Sequence, residues 1–160
     1  MDSNPGIAMR LTIKGIQAKF SSVKDVSTET LAKWFQDGEE KKHHTVLMYV
    51  ILDLTFDLHV ILLKDCREPA EFEVSHLEGA KRIDWETADP QELLDTLPSV
   101  SDKDVQVYNL EGSIFKWANE GRPMVTSSGQ KTRLCHPFSA VWGKLLKSEL
   151  RSKGLSESQG

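Results

Sequence analysis

The pattern of apolar and polar residues predicts strands alternating with helices along the chain. A nearly continuous apolar run, residues 45–63, is rich in β-branched and aromatic residues, which favours a buried strand or strand pair. The run is almost long enough to cross a bilayer. Its members Asp53, Asp57 and His59 lie near the middle, however, where each would cost about 2–3 kcal/mol or more inside a membrane. We therefore interpret the run as buried sheet.

Other segments carry the signals that begin and end helices or strands. Ser27 and Thr28 are suited to an N-cap, Pro69 to a first helical turn, and Gly121 to a C-cap before Pro123. These signals and the apolar spacing predict helices over residues 29–35, 69–72, 92–97, 114–120 and 138–150. Short β-prone runs are expected at residues 9–20 and 105–108, with a loop over 126–132.

Length, composition and charge indicate one ordinary globular domain. The 160 residues are 39% hydrophobic and 28% charged, which suits a single domain over residues 1–150 with a disordered tail over 151–160. The net charge of −4 gives no basic surface for nucleic acid or anionic membranes. Two cysteines without a secretory signal fit a reducing compartment, so the cytoplasm is the expected location. No third ligand accompanies the adjacent His43 and His44, so no metal site or cofactor is predicted.

Two blocks of sequence carry a resemblance to a known family. Residues 65–80 read DCREPAEFEVSHLEGA, and residues 109–123 read NLEGSIFKWANEGRP, preceded by the strand VQVY. Together the blocks 65–80 and 105–123 resemble the front and back signatures of a rhodanese-like domain, the fold of sulfur-carrying transferases. The matching positions are Asp65, Arg67, Glu71, Phe72, His76, Leu77, Gly79, Ala80, Gly112, Trp117, Gly121 and Pro123.

The resemblance implies a fold, and it also exposes a gap. A rhodanese-like domain is an α/β fold with a mainly parallel sheet flanked by helices on both faces. Family members place a strand, a cysteine-led loop and a helix between the two blocks. Residues 81–108 contain no cysteine, and this whole unit is missing, as in a splice or truncation variant. The sheet should therefore be incomplete at its centre unless neighbouring elements close it.

The missing loop is the part that performs the family's chemistry. Sulfur transfer needs a thiolate that accepts sulfane sulfur as a persulfide. Cys66 follows a predicted buried strand, where a small core thiol is the simpler interpretation. Cys135 lies between Arg133 and His136, whose charges could lower its pKa if the thiol were exposed. No glycine-rich cradle follows Cys135, so both cysteines are weak catalytic candidates.

The resemblance also marks residues that border the family's pocket. These are Asp65, Arg67, His76 and Arg122, although hydrogen bonding within the strand end and turn accounts for the first three without chemistry. The sequence favours a catalytically inactive or regulatory rhodanese-like domain. Two alternatives remain open. One is an active sulfurtransferase that moves sulfane sulfur from thiosulfate or a persulfide through Cys135 or Cys66. The other is a protein-interaction module, whose partner would bind an exposed sheet edge or the apolar run.

Overall fold

A computed structural model describes residues 5–39, 49–54, 62–84, 86–87 and 105–153. It confirms the α/β class, because helices and a mixed sheet alternate along the described chain. The helices are α1 (Pro5–Lys19), α2 (Thr28–Glu39), α3 (Pro69–Val74) and α4 (Ser113–Asn119). The strands are β1 (Lys24–Val26), β2 (Tyr49–Leu54), β3 (Leu62–Asp65), β4 (Lys81–Arg82), β5 (Val105–Leu110), β6 (Met124–Val125) and β7 (Lys131–Thr132). Two 3-10 turns follow, at Trp142–Leu145 and Ser148–Leu150.

The main sheet has five strands in the order β1-β5-β2-β3-β4. Strands β1 and β5 pair in parallel, as do β3 and β4, but β2 runs antiparallel to both of its neighbours. Four of the five described strands therefore point in one direction, as in a mainly parallel sheet, and β2 is the exception. The reason lies in the apolar run, which supplies both β2 and β3. Only seven residues separate these two strands, whereas a parallel connection needs a crossover of about a dozen or more.

The centre of this sheet is occupied rather than open. Strand β2 lies between β5 and β3 and pairs with both of them. The expected gap at the sheet centre is thus absent from the described strands, because the first half of the apolar run fills it. Pairing on both sides satisfies the backbone groups that two facing sheet edges would otherwise expose. No helix among the described residues is long and apolar enough to span a bilayer.

The N-terminal segment is a helix, so the prediction of a β-prone run over residues 9–20 is wrong. β-Branched residues suggested a strand, yet Met9, Ile13 and Ile16 repeat at the spacing of one helical face. Met9 is buried, and all three side chains line the same cleft. Packing of this face outweighs the weak strand preference of the individual residues.

The C-terminal segment departs from its prediction in a different way. Leu145, Leu146 and Leu150 are buried, as amphipathic spacing suggests, but in place of one helix the segment forms two short 3-10 turns, one ending at Leu145 and the other at Leu150. Close packing at Gly143 is consistent with this, because a Cβ there would stand 2.8 Å from Cβ of Pro137. The order extends past the expected boundary, since the Ser152 amide donates to the Cys135 carbonyl at 2.9 Å.

Other expectations have a mixed outcome. The helices predicted over residues 29–35, 69–72 and 114–120 are present as α2, α3 and α4. The predicted loop over residues 126–132 includes β7, which forms a small hairpin with β6. The helix predicted over residues 92–97 lies outside the described residues, as do residues 154–160 of the expected tail.

The hydrophobic core surrounds Trp117 on α4. This side chain is 2% exposed, and its indole N–H donates to the Pro123 carbonyl at 2.9 Å. The ring of Phe35 meets it edge-on, with centroids 6.0 Å apart, an arrangement that adds to simple burial. The core thereby joins α2 and α4 with the sheet through buried residues that include Val26, Leu31, Leu63, Leu77, Leu110, Ile114 and Met124.

A polar contact links the first turn of α2 to the end of α4. The buried Thr28 hydroxyl donates to the two carboxylate oxygens of Glu120 at 2.7 and 3.0 Å. Arg122 Nε donates to the same carboxylate at 2.8 Å, and Lys116 Nζ lies 3.4 Å away. Partial burial alone would raise the pKa of Glu120. The hydrogen bonds from Thr28 and Arg122 and the charge of Lys116 outweigh burial and hold the pKa below its usual value.

We expect Glu120→Gln to lower the free energy of unfolding by about 1 kcal/mol at pH 7. A carboxyl group whose pKa is lower when folded stabilises the protein above its unfolded-state pKa, about 4.3 for glutamate. That contribution disappears as the pH falls through the folded-state pKa. Urea unfolding at pH 7 and at pH 3 should therefore show a difference between wild type and variant that shrinks on acidification.

The exposed Glu78 provides the matched control. Glu78→Gln should change stability by less than about 0.5 kcal/mol at either pH, as expected of a surface substitution. A Glu120→Gln variant that behaves like Glu78→Gln would mean that the link between α2 and α4 contributes nothing.

Candidate functional site

A cleft lies where β3 and β5 end. Both strands run antiparallel to β2, so their carboxyl ends meet at the same edge of the sheet, the position where open α/β sheets bind ligands. The cleft has a volume of about 580 Å³. Residues after β3 and around the end of β5 form its floor, α1 forms one wall, and the segment 138–145 contributes Phe138, Trp142 and Leu145.

Asp65 and Arg67 form a buried ion pair at the end of β3. Asp65 is fully buried and Arg67 is 6% exposed. Arg67 Nη2 donates to Asp65 Oδ2 at 2.6 Å, and Arg67 Nε donates to Oδ1 and Oδ2 at 2.9 and 3.1 Å. The Arg67 amide also donates to Oδ1 at 3.0 Å. This bidentate geometry satisfies both charges inside the protein.

The remaining donors of Arg67 hold the turn around α3. Its Nη2 donates to the Ser75 carbonyl at 2.6 Å, and Nη1 lies 3.5 Å from the Glu71 carbonyl. These carbonyls belong to α3 and to the residue directly after it, so Arg67 closes the segment between β3 and β4. The guanidinium is therefore committed to protein acceptors. Arg67 borders the cleft, but this arrangement serves structure and leaves little capacity to bind an external anion.

His76 likewise holds the turn after α3. Its Nδ1 lies 2.8 Å from the Phe72 carbonyl, and its ring stacks on the Phe72 ring with centroids 3.7 Å apart. The backbone of His76 pairs with Val125 through two hydrogen bonds of 2.9 Å. The side chain is 8% exposed and is not among the described residues that line the cleft.

Arg122 is placed away from the lining of the cleft. Its Nε donates to Glu120, and its guanidinium lies over the Trp117 ring, 5.5 Å from the centroid. Of the four predicted pocket residues, Arg67 therefore lines the cleft and Asp65 pairs with it from beneath the lining, while His76 and Arg122 stabilise neighbouring parts of the fold.

Cys135 is a core residue. Its side chain is fully buried, and its backbone pairs with Arg151. Burial raises the pKa of Cys135 to about 11, although the Arg67 guanidinium and the Ser75 side chain favour the thiolate. Arg133 and His136 could lower this pKa only if the thiol were exposed, and that condition is not met. Desolvation of the thiolate exceeds the attraction of Arg67 and Ser75.

Cys66 is half-buried and lines the cleft. Burial, and then the adjacent Asp65 carboxylate, raise its pKa. The electropositive surroundings that activate a nucleophilic cysteine are not found here, because Asp65 neutralises Arg67. Both cysteines that the sequence offers are therefore present mainly as thiols at neutral pH.

Sequence reasoning missed two contributors to this region. The sequence marks Glu71 only as a matching position of the first block, but Glu71 is 6% exposed and its Oε2 accepts the Glu68 amide at 3.0 Å. Burial is the main cause that raises the pKa of Glu71. The Glu68-x-x-Glu71 spacing, which is typical of a capping box, could have revealed this contact. The helical repeat of Met9, Thr12, Ile13 and Ile16 could have revealed the cleft wall.

Comparison of the chain with protein-family models, curated proteins and solved structures found no match. Among the described residues, no group of three or more His, Cys, Asp or Glu side chains is arranged to hold a metal ion. The geometry at the ends of β3 and β5 therefore provides the basis for a functional conclusion.

Proposed function

We propose that the chain is a rhodanese-like domain that does not transfer sulfur and acts without catalysis, as a regulatory or inactive member. The observation that carries this proposal is the state of Cys135, which is fully buried with a pKa raised to about 11. Such a thiol is neither accessible to a sulfur donor nor ionised at neutral pH. The family's cysteine loop is missing from residues 81–108, and the pKa of Cys66, the cysteine of the first block, is raised by burial and by Asp65.

The family-like residues support this proposal through their roles in the fold. Asp65 and Arg67 secure the strand end, and Trp117 anchors the core. Gly112 adopts a left-handed conformation with φ of 76°, and a Cβ there would lie 2.5 Å from Lys116 Cβ. Each residue has a structural reason to be present in a frame that lacks the nucleophile.

Cys66 supports the alternative of an active sulfurtransferase, because it lines the cleft. In that reaction the Cys66 thiolate would attack the outer sulfur of thiosulfate and break its S–S bond. Sulfite would leave with the bonding electron pair, and Cys66 would retain one sulfur as a persulfide. A cyanide ion or a second thiolate would then remove that sulfur and regenerate the Cys66 thiolate. The raised pKa of Cys66 opposes the first step.

We expect intact mass spectrometry to detect no sulfur adduct after the folded protein is incubated with thiosulfate at pH 7. Wild type, Cys66→Ser and Cys135→Ser should all keep their masses, because neither thiol is appreciably ionised. The same samples should form no thiocyanate when cyanide is added. Circular dichroism before and after incubation confirms that the samples remain folded.

A gain of one sulfur atom that a reductant reverses would contradict the proposal. If Cys66→Ser alone abolished the gain, Cys66 would be the carrier and the sulfurtransferase alternative would be correct. If Cys135→Ser alone abolished it, the buried thiol would have to become exposed during the reaction.

A further inference from the structure

The cleft has the size and the lining of a binding site for a small organic molecule. Its volume of about 580 Å³ lies within the range of about 300–1,000 Å³ that is usual for ligand pockets. Apolar side chains dominate the lining, and they come from three separate parts of the chain. These residues are Met9, Ile13 and Ile16 of α1, Leu110 and Phe115 near the end of β5, and Phe138, Trp142 and Leu145.

Backbone strain is concentrated at the same cleft. Ser113 has φ of 55° and Phe138 has φ of 62°, and they are the non-glycine residues with positive φ in the described part of the chain. Both line the cleft. A bulky side chain such as that of Phe138 rarely adopts this conformation, and such strain tends to occur at ligand sites. His136 Nδ1 accepts the Phe138 amide at 2.9 Å and thereby helps to hold this conformation.

The charges at the cleft favour a cation over an anion. The charged residues that line it are Arg67, Glu68 and Glu71. Arg67 is neutralised by Asp65, with which it makes the 2.6 Å contact. Glu68 is exposed, and the described residues place no salt bridge on its carboxylate. A negative charge therefore remains at the α3 end of an otherwise apolar site.

We propose that this cleft binds a small apolar or aromatic molecule that carries one cationic group, with the apolar body between α1 and Trp142 and the cation beside Glu68. This inference rests on the cleft alone and does not depend on the rhodanese-like assignment. It assigns to the protein a ligand of opposite charge to thiosulfate.

The charge preference can be tested with three ligands that share one aromatic body. We expect calorimetric titration at pH 7 to give the tightest binding for 1-naphthylmethylamine, weaker binding for 1-naphthylmethanol, and the weakest for 1-naphthoate. The amine should bind about fivefold more tightly than the alcohol, as expected of a partly exposed ion pair. Glu68→Gln should abolish that difference between the amine and the alcohol.

The location can be tested by filling the cleft. Ile13→Trp should weaken binding of all three ligands at least tenfold, because the larger side chain occupies the site. Ile7→Trp is the matched control, since Ile7 lies on α1, is 51% exposed and is not part of the cleft lining. In the wild-type protein, saturating 1-naphthylmethylamine should also slow alkylation of Cys66 by iodoacetamide at least threefold.

Several results would overturn the proposal. Unprotected Cys66 at saturation would place the ligand elsewhere, and this measurement needs no variant to fold. Equal binding to wild type and Ile13→Trp would do the same. Binding of 1-naphthoate as tight as that of the amine would refute the cationic class. If none of the three ligands binds, the cleft is not a binding site for this class of molecule. Because these measurements involve no sulfur donor, a failure here leaves the thiosulfate experiment unaffected.

Discussion

Arg67→Ala should lower the free energy of unfolding by about 3–5 kcal/mol, because it removes one partner of a buried ion pair. Asp65, which is fully buried, would lose the guanidinium that now donates to both of its oxygens. The carbonyl of Ser75 would also lose a donor at 2.6 Å. A domain of this size has about 5–15 kcal/mol of stability, so urea unfolding should show a large loss or a chain that no longer folds.

Two further variants distinguish the loss of the ion pair from the loss of a long side chain. Arg133→Ala removes an exposed arginine and should cost less than about 0.5 kcal/mol. The double variant Asp65→Asn/Arg67→Ala should lose less free energy of unfolding than the two single variants lose in sum, because the amide leaves no uncompensated charge. Should Arg67→Ala resemble Arg133→Ala, the pair at the end of β3 would have no structural importance.

Local elements were predictable where a strong signal and the final packing agree. Ser27 and Thr28 indicate the start of α2, and Ser27 Oγ indeed accepts the Thr30 amide at 3.0 Å. Pro69 likewise begins α3. The strand prediction for residues 9–20 is wrong because the strand preference of single residues competes with helical spacing, and only the packing of this segment at the cleft decides between them. The prediction of one helix over residues 138–150 is wrong because Gly143 packs on Pro137, and the orientation of these two residues depends on the whole fold.

The sheet order was not predictable from local signals. The apolar composition of residues 45–63 fits one long strand or two short ones equally well. The pairing of β2 with β5 joins residues far apart in sequence, such as Ile51 and Tyr108. The resemblance implied a parallel strand at the sheet centre and therefore a gap when that strand was missing. An antiparallel strand from another part of the chain can fill the same position, since each strand edge accepts either direction.

The first sequence block identified part of the site but not the state of its residues. Asp65 and Arg67 were identified from the first block, and the structure places them together at the end of β3. Burial, however, depends on the whole fold, so the local sequence around Cys135 could not fix the direction in which its pKa shifts. Arg133 and His136 flank it in sequence, yet the cation that favours its thiolate in the fold is Arg67, and the solvation lost in the core exceeds that effect.

We expect Cys135 in the folded protein to react with iodoacetamide at least about 100-fold more slowly than in the denatured chain at pH 7. With a pKa of about 11, only about one thiol in ten thousand is ionised at that pH, compared with a few per cent for an unperturbed thiol. Full burial slows the reaction further. The measurement is a labelling time course by mass spectrometry on Cys66→Ser, in which Cys135 is the remaining cysteine.

The pH dependence of the same reaction distinguishes a raised pKa from simple inaccessibility. The thiolate fraction should increase about tenfold per pH unit without levelling off below pH 10, because the raised pKa shifts ionisation to alkaline conditions. Cys135→Ser, which leaves the half-buried Cys66, should react faster and so confirms that the reagent enters folded protein. A rate for Cys135 that reaches a plateau near pH 7 would show an activated thiolate. The buried cysteine would then regain its candidacy as a sulfur carrier.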